Sequence, residues 1–292
     1  MKTLVMILVL SLLGVTLWGR LITQRESDHK VITWGIPDWP PYSVFPSSKE
    51  PPGIMNKLLN ILNTNIPDYQ FELIDASVPK SMELWSTGID VCSPITLYTK
   101  ERAALAYMTP WVLSPPLQIV VRADKFDLFL AQAKNRELDL NGLITSGRWK
   151  GLFVKNRSYG PPVDDVLHLH KGSVSIEPPV GSWWSVLNMV AVGRADFTVE
   201  YPLVVDEFNQ SNAQSGALLS IPIVGYTKPF TFMVACTKSP KGKEWMEKIE
   251  KGIHSAAKKP EFKKMMERLF TPEGVKKYRS EIDEFVEKRK GP

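Results

Sequence analysis

Cysteine and histidine are scarce in this chain, with two and four residues among 292. No zinc-finger spacing occurs. His168-Leu169-His170 is the one close histidine pair, and at i,i+2 on a helix its rings diverge with no Cys or acid cluster beside them. No metal or other cofactor is therefore expected. There is no Gly-x-Ser-x-Gly elbow to mark a hydrolase nucleophile, and no RNA-binding signature. The net charge of +5 is modest, and much of the excess lies in the last helical stretch, where a solvated face explains it without nucleic acid. With only Cys92 and Cys236, each inside an apolar strand-like run, two states stay open: one disulfide, or two buried thiols that pack as small hydrophobes.

Met1-Lys2-Thr3 precedes an apolar run from Leu4 to Trp18 that Arg20 ends. A short basic segment followed by apolar residues of this length reads as an export signal over residues 1–22, and the run is short for a membrane span. No A-x-A site closes it, so an uncleaved N-terminal anchor is the alternative. No Cys follows it, which argues against a lipoprotein. The body is expected in the periplasm, and its length and 43% hydrophobic content suit a globular chain of two lobes.

The pattern that follows is α/β. Val31 to Trp34 reads as a strand, running into the proline-stiffened loop Pro37-Asp38-Trp39-Pro40-Pro41-Tyr42, whose two rings could stack on a ligand or cap the core. Gly53 opens a helix with Ile54, Leu58, Ile61 and Leu62 at helical spacing. Tyr69 to Ile74 alternates like a strand, and Pro79 to Thr87 is a helix capped by Gly88. The order β-α-β-α-β is that of an open sheet, whose ligands sit beyond the carboxyl ends of the strands. A second set follows: helix Phe126 to Ala133, strand Leu152 to Val154, a donor-rich loop Lys155 to Gly160, helix Val163 to Leu169 and strand Val174 to Ile176. Asp164 and Asp165 read as first-turn helix acids. A helix from Gly181 or Ser182 with Trp183, Leu187 and Val190 on one face leads to Gly193-Arg194-Ala195-Asp196 and strand Phe197 to Val199. Strand Phe230 to Ala235, an amphipathic helix Gly242 to Lys258, a helix marked by Phe262 to Leu269 and a charged helical tail complete the chain, and these helices need a sheet to cover.

The central stretch is Gly88 to Trp111. Val91 and Cys92 suit a buried strand bounded by Ser93 and Pro94, and Thr96 to Arg102 is a polar knot with one guanidinium. Arginine presents a planar fork that fits a carboxylate with two hydrogen bonds. Arg102 is expected at the mouth of a cleft, open to solvent, holding the anionic group of a small ligand.

Taken together, Trp39-Pro40-Pro41-Tyr42, Gly53, Gly88-Ile89-Asp90, Thr99-Lys100-Glu101-Arg102, Thr109-Pro110-Trp111, Trp149 to Val154 and Gly193 to Asp196 resemble the extracellular solute-binding proteins of family 3, the polar amino-acid type with the type II periplasmic-binding fold. The resemblance implies two lobes, each an open mostly parallel sheet flanked by helices, one lobe from 28–118 plus 232–292 and the other from 119–231. Two hinge strands, Leu117 to Arg122 and Pro229 to Ala235, would join them and close them around a ligand. It further implies that Arg102 grips a carboxylate, that Trp39 or Tyr42 packs on the ligand, that Thr96 lies at the site, and that Arg157, Ser158 and Tyr159 donate hydrogen bonds. The place for an acid that receives a ligand ammonium falls on Tyr201, with Glu200 adjacent. Ile95 and Leu97 stand where small hydroxyl residues are usual, which points to a larger or more apolar carboxylate, or to a lost binding role. The expected function is capture of a small carboxylate-bearing solute by a monomer serving an inner-membrane permease. The alternatives are a dehydratase-like enzyme using Glu200, and a sensor or accessory protein for a membrane receptor.

Overall fold

The computed structural model describes residues 30–47, 50–172, 174–177, 184–212 and 217–291. The expected export signal over 1–22, and Gly181, Ser182 and Trp183 of the expected helix start, lie outside the described residues. Among the described residues ten strands run in chain order: β1 Lys30–Ile36, β2 Tyr69–Asp75, β3 Cys92–Thr96, β4 Ala106–Ser114, β5 Gln118–Arg122, β6 Leu152–Val154, β7 Ser175–Glu177, β8 Phe197–Glu200, β9 Leu218–Pro222 and β10 Phe230–Thr237. They form a five-stranded sheet β2-β1-β3-β10-β4, a three-stranded sheet β8-β5-β9 and a pair β6-β7, which a bridge from Gly151 to Phe197 ties to β8.

In the first sheet β1 pairs parallel with β2 and β3, as the β-α-β pattern requires, while β10 runs antiparallel to both β3 and β4. Strand β5 pairs antiparallel with β8 and β9. Ile32, Trp34 and Ile36 alternate into one buried core that also holds Met55, Leu58 and Leu62 of the helix Ile54–Asn63. Gly88 takes a left-handed conformation, φ 77°, just past the helix Val78–Ser86, as a capping glycine does. Ser93 and Pro94 do not bound β3; they lie inside it. Pro94 falls where β10 skips from Ala235 opposite Ser93 to Met233 opposite Thr96, a bulge that tolerates a residue without an N–H. Pro110 is accommodated similarly, on the edge strand β4. Segments 115–117 and 223–229 carry the chain between the two larger sheets; β5 and β10, expected as the crossings, adjoin them, and each belongs to one sheet.

Cys92 and Cys236 face each other across β3 and β10 and form a disulfide that closes 144 residues, which settles the alternative left by the sequence. The bond suits an oxidising compartment. Replacing both residues by alanine should destabilise the fold by about 2–4 kcal/mol, read as a fall in Tm of roughly 10 °C. An unchanged Tm would show that the cross-link contributes nothing.

The long helix Pro240–Ala257 starts at Ser239, whose hydroxyl accepts from Gly242 N at 2.9 Å, and it lays Trp245, Ile249 and Ile253 on the first sheet as expected. The charged tail is less solvated than its composition implies. Helix Arg279–Arg289 buries Ile282, Val286 and Arg289, and Arg289 donates to both Glu250 oxygens at 2.9 and 2.8 Å. Thr109 of β4 and His254 also bond that carboxylate. Burial works to raise the Glu250 carboxyl, but the hydrogen bonds from Arg289 and Thr109 outweigh it and hold it below the ordinary range. A depressed carboxylate lends stability above its unfolded value, about pH 4.3, and loses it as the pH falls through the folded value. Tm should therefore drop on acidification below about pH 4.3, and more steeply in the native protein than in Glu250→Gln. Parallel curves would remove Glu250 from the acid response.

Among the described residues, no helix is long and apolar enough to cross a membrane.

Candidate functional site

The aromatic loop after β1 is fixed by its own backbone and by the next helix. Trp39 and Ser43 exchange backbone hydrogen bonds at 2.7 and 2.9 Å, and the Ser43 hydroxyl donates to Pro37 O at 2.6 Å. The carbonyls of Pro41 and Tyr42 accept from the first amides of the helix, Ile54 N and Met55 N, at 3.1 and 2.7 Å. A Cβ at Gly53 would stand 2.7 Å from Ser43 Cα and from Tyr42 O, so only glycine permits this approach. Asn56, which the sequence reading passed over, locks the loop exit by bonding Val44 N and O at 3.0 and 2.9 Å.

The two rings part company there. Trp39 lines a cavity, but Tyr42 is fully buried and donates to Leu269 O at 3.2 Å. Tyr42 belongs to a cluster with Trp39, Tyr201 and Phe232, centroids 4.8, 5.4 and 6.3 Å away, and so takes the core-capping role. Burial pushes the Tyr42 and Tyr201 hydroxyls well above their usual value, so both stay neutral.

Arg102 stands in the helix Lys100–Leu105, whose cap Thr99 accepts from Arg102 N at 3.1 Å. Its guanidinium is not open to solvent as expected: the residue is 6% exposed, with Nη1 donating to Leu97 O at 3.0 Å. Among the described residues no carboxylate lies within ion-pair reach of it. Burial lowers its pKa, opposed by the charges of Asp164 and Glu101.

On the other side of the cavity, Asn156 adopts a left-handed conformation, φ 62°, which asparagine tolerates, and this reverses the chain after β6. Arg157 then turns inward and pairs with Glu200 at the end of β8, at 2.6 and 2.7 Å. The pair is buried, with side-chain exposures of 10% and 4%. Burial works to lower the Arg157 pKa, and the Glu200 charge and hydrogen bonds more than reverse it. The Arg157 guanidinium carbon lies 4.7 Å from the Tyr159 ring, 5.5 Å from Trp39 and 5.9 Å from Tyr201. Asp164 holds the loop, accepting from the Ser158 hydroxyl at 2.5 Å and from Tyr159 N at 2.7 Å. The Tyr159 hydroxyl, which burial pushes up to about 12, accepts from Val154 N at 2.8 Å.

Between these elements lies a cavity of about 70 Å³, lined by Trp39, Ile95, Leu97, Arg102 and Phe232 from the first sheet's side and by Val154, Lys155, Asn156, Arg157, Ser158 and Tyr201 from the other. Ser77, Val78 and Pro79 complete it. A wider groove of about 560 Å³ adjoins, and Arg102, Asn156, Arg157 and Ser158 line both spaces, so they mark the junction. Of the residues singled out in the sequence, Trp39, Arg102, Arg157, Ser158 and Tyr201 thus come together on one cavity. Glu200 reaches it only through Arg157. Tyr42 and Tyr159 stand behind its wall, and Thr96 is fully buried, donating to Ser93 Oγ at 3.1 Å. Phe232, Val78 and Pro79 were missed. Phe232 has the pattern of a core residue, and only its register on β10 turns it to the cleft.

Two larger sheets flanked by helices, with a small cavity between them, are the mixed α/β architecture of the two-lobed type II periplasmic-binding fold. The chain belongs to the bacterial extracellular solute-binding proteins, family 3, whose model matches residues 32–272. Comparison with curated protein sequences finds no match. Among solved structures, one described for glutathione import in Gram-positive bacteria via GshT and the cystine ABC importer TcyBC of Streptococcus mutans superposes with a TM-score of 0.63 at 15% identity, covering 82% of this chain and 95% of that one. An ancestral arginine-binding protein bound to arginine gives 0.62 at 15%, over 84% and 99%. A histidine kinase sensor domain with similarity to periplasmic binding proteins gives 0.63 at 14%, over 84% and 97%. At such identities the likeness is one of fold.

Proposed function

We propose that this protein is an exported, monomeric solute-binding protein that takes a small carboxylate-bearing solute between two lobes, 28–118 with 232–292 and 119–231, and presents it to an ABC permease. The observation that carries this reading is Arg102. A buried guanidinium with five donors uses one of them on a backbone carbonyl, at the junction of the small cavity and the wider groove. Burying a charge without a partner is costly, and a ligand carboxylate supplies the partner. The cavity's volume suits a few waters, not a solute. Entry therefore requires the walls to part, and segments 115–117 and 223–229 are where two lobes would swing.

No observation favours an enzyme on this fold. Glu200, the acid such a reading needs, accepts from Arg157 with both oxygens and from Tyr201 N at 2.9 Å, and it does not line the cavity. Screening amino acids, small peptides and simple carboxylates by thermal shift tests the proposal, since a ligand that binds only the folded state raises Tm. The best carboxylate should raise Tm and its methyl ester should not. Equal shifts from acid and ester would refute a carboxylate anchor.

A further inference from the structure

The cleft already contains a cation. Arg157 is enclosed by the faces of Trp39, Tyr159 and Tyr201, at 5.5, 4.7 and 5.9 Å, and both its terminal nitrogens bond one carboxylate, Glu200. Aromatic faces around a positive group, closed by a bidentate acid, are what a binding site would use to hold a guanidinium or ammonium from a ligand. Here the chain's own side chain fills it, held by the Asn156 reversal and by the Asp164 bonds to the adjoining residues. Among the described residues, no acid lines the cavity itself, whereas Arg102, Lys155 and Arg157 do; Glu83, Glu101 and Asp164 line only the wider groove outside it. A positive group carried into the cavity would meet three basic side chains and would find Glu200 engaged.

We propose that Arg157 is a specificity-determining residue, a resident cation that occupies the cleft's own cation cage and restricts the solute to apolar carboxylates lacking a positive group. The apolar walls, Trp39, Ile95, Leu97, Val154 and Phe232, fit the remainder of such a molecule. The solute class rests on the carboxylate reading above; the cage assignment does not.

Two measurements on the purified protein separate them. The first removes the resident cation. Arg157→Ala, titrated with methylguanidinium at low millimolar concentration, should gain several degrees of Tm and show a change in tryptophan emission from Trp39. The native protein and the double variant Arg157→Ala/Glu200→Gln should show neither. A folded Arg157→Ala that ignores methylguanidinium, or a native protein that responds equally, overturns the cage. The second measurement uses only the native protein, so it holds even where the variant does not fold. Isocaproate and leucine share a carbon skeleton and differ by the ammonium, and isocaproate should give at least a tenfold tighter apparent Kd. Leucine binding as well as or better than isocaproate overturns the exclusion of positive groups. Methylguanidinium rescue in a protein that no carboxylate of the thermal-shift screen stabilises would uphold the cage and discard the carboxylate reading.

Discussion

Arg102→Ala should abolish the thermal stabilisation conferred by the proposed carboxylate ligand, while the unliganded Tm should fall little. The asymmetry follows from what the side chain touches. In the free protein it makes one hydrogen bond, to Leu97 O, worth about 1 kcal/mol net. In the complex it would be one half of a desolvated, doubly hydrogen-bonded charge pair. Truncating one member of such a pair costs about 2–5 kcal/mol of binding, a loss of roughly thirtyfold or more in Kd. Arg102→Lys keeps the charge and loses the planar fork, so an intermediate loss is expected. Titration calorimetry on the three proteins measures this. Equal affinity across them would place the anion elsewhere.

Glu200→Gln produces the largest loss of folding stability expected in this chain. Arg157 would keep its charge, surrounded by Trp39, Tyr159 and Tyr201, and lose its counterion. Breaking a buried pair from one side costs about 3–5 kcal/mol, a fall in Tm of roughly 10 °C. Removing both partners is different, because burial of an ion pair is itself expensive. Arg157→Met/Glu200→Leu should recover most of the loss, since apolar replacements of similar volume are often neutral. Urea unfolding of the native protein, Arg157→Met, Glu200→Leu and their double variant gives the cycle, and strong non-additivity is the expected result. Additive effects would mean that the two residues do not act as a pair.

Residues near one another in the chain made much of the architecture legible. The helical spacing of Ile54, Leu58 and Leu62, the alternation through Tyr69 to Ile74 and the capping glycine at 88 each report a local preference, and each element stands where it was expected. The helix Pro202–Ser211, not among the expected elements, starts with proline in its first turn, a position that proline favours. Strand β9 is five residues and offers too short a period to separate from a loop. At the site the residue types were legible and their partners within the protein were not. Tyr42, which with Trp39 could stack on a ligand or cap the core, reaches Leu269, 227 residues away, and Arg157, a donor in its loop, bonds Glu200, 43 residues away. Contacts across such separations depend on how the sheets pack, which no window of sequence contains.

The most direct measurement is a crystal structure of the native protein with whichever carboxylate raises its Tm most. The account predicts a solute enclosed between the sheet β2-β1-β3-β10-β4 and the sheet β8-β5-β9, with both carboxylate oxygens about 3 Å from the Arg102 guanidinium and Arg157 still on Glu200. A carboxylate bound anywhere else, with Arg102 still on the Leu97 carbonyl, would contradict it.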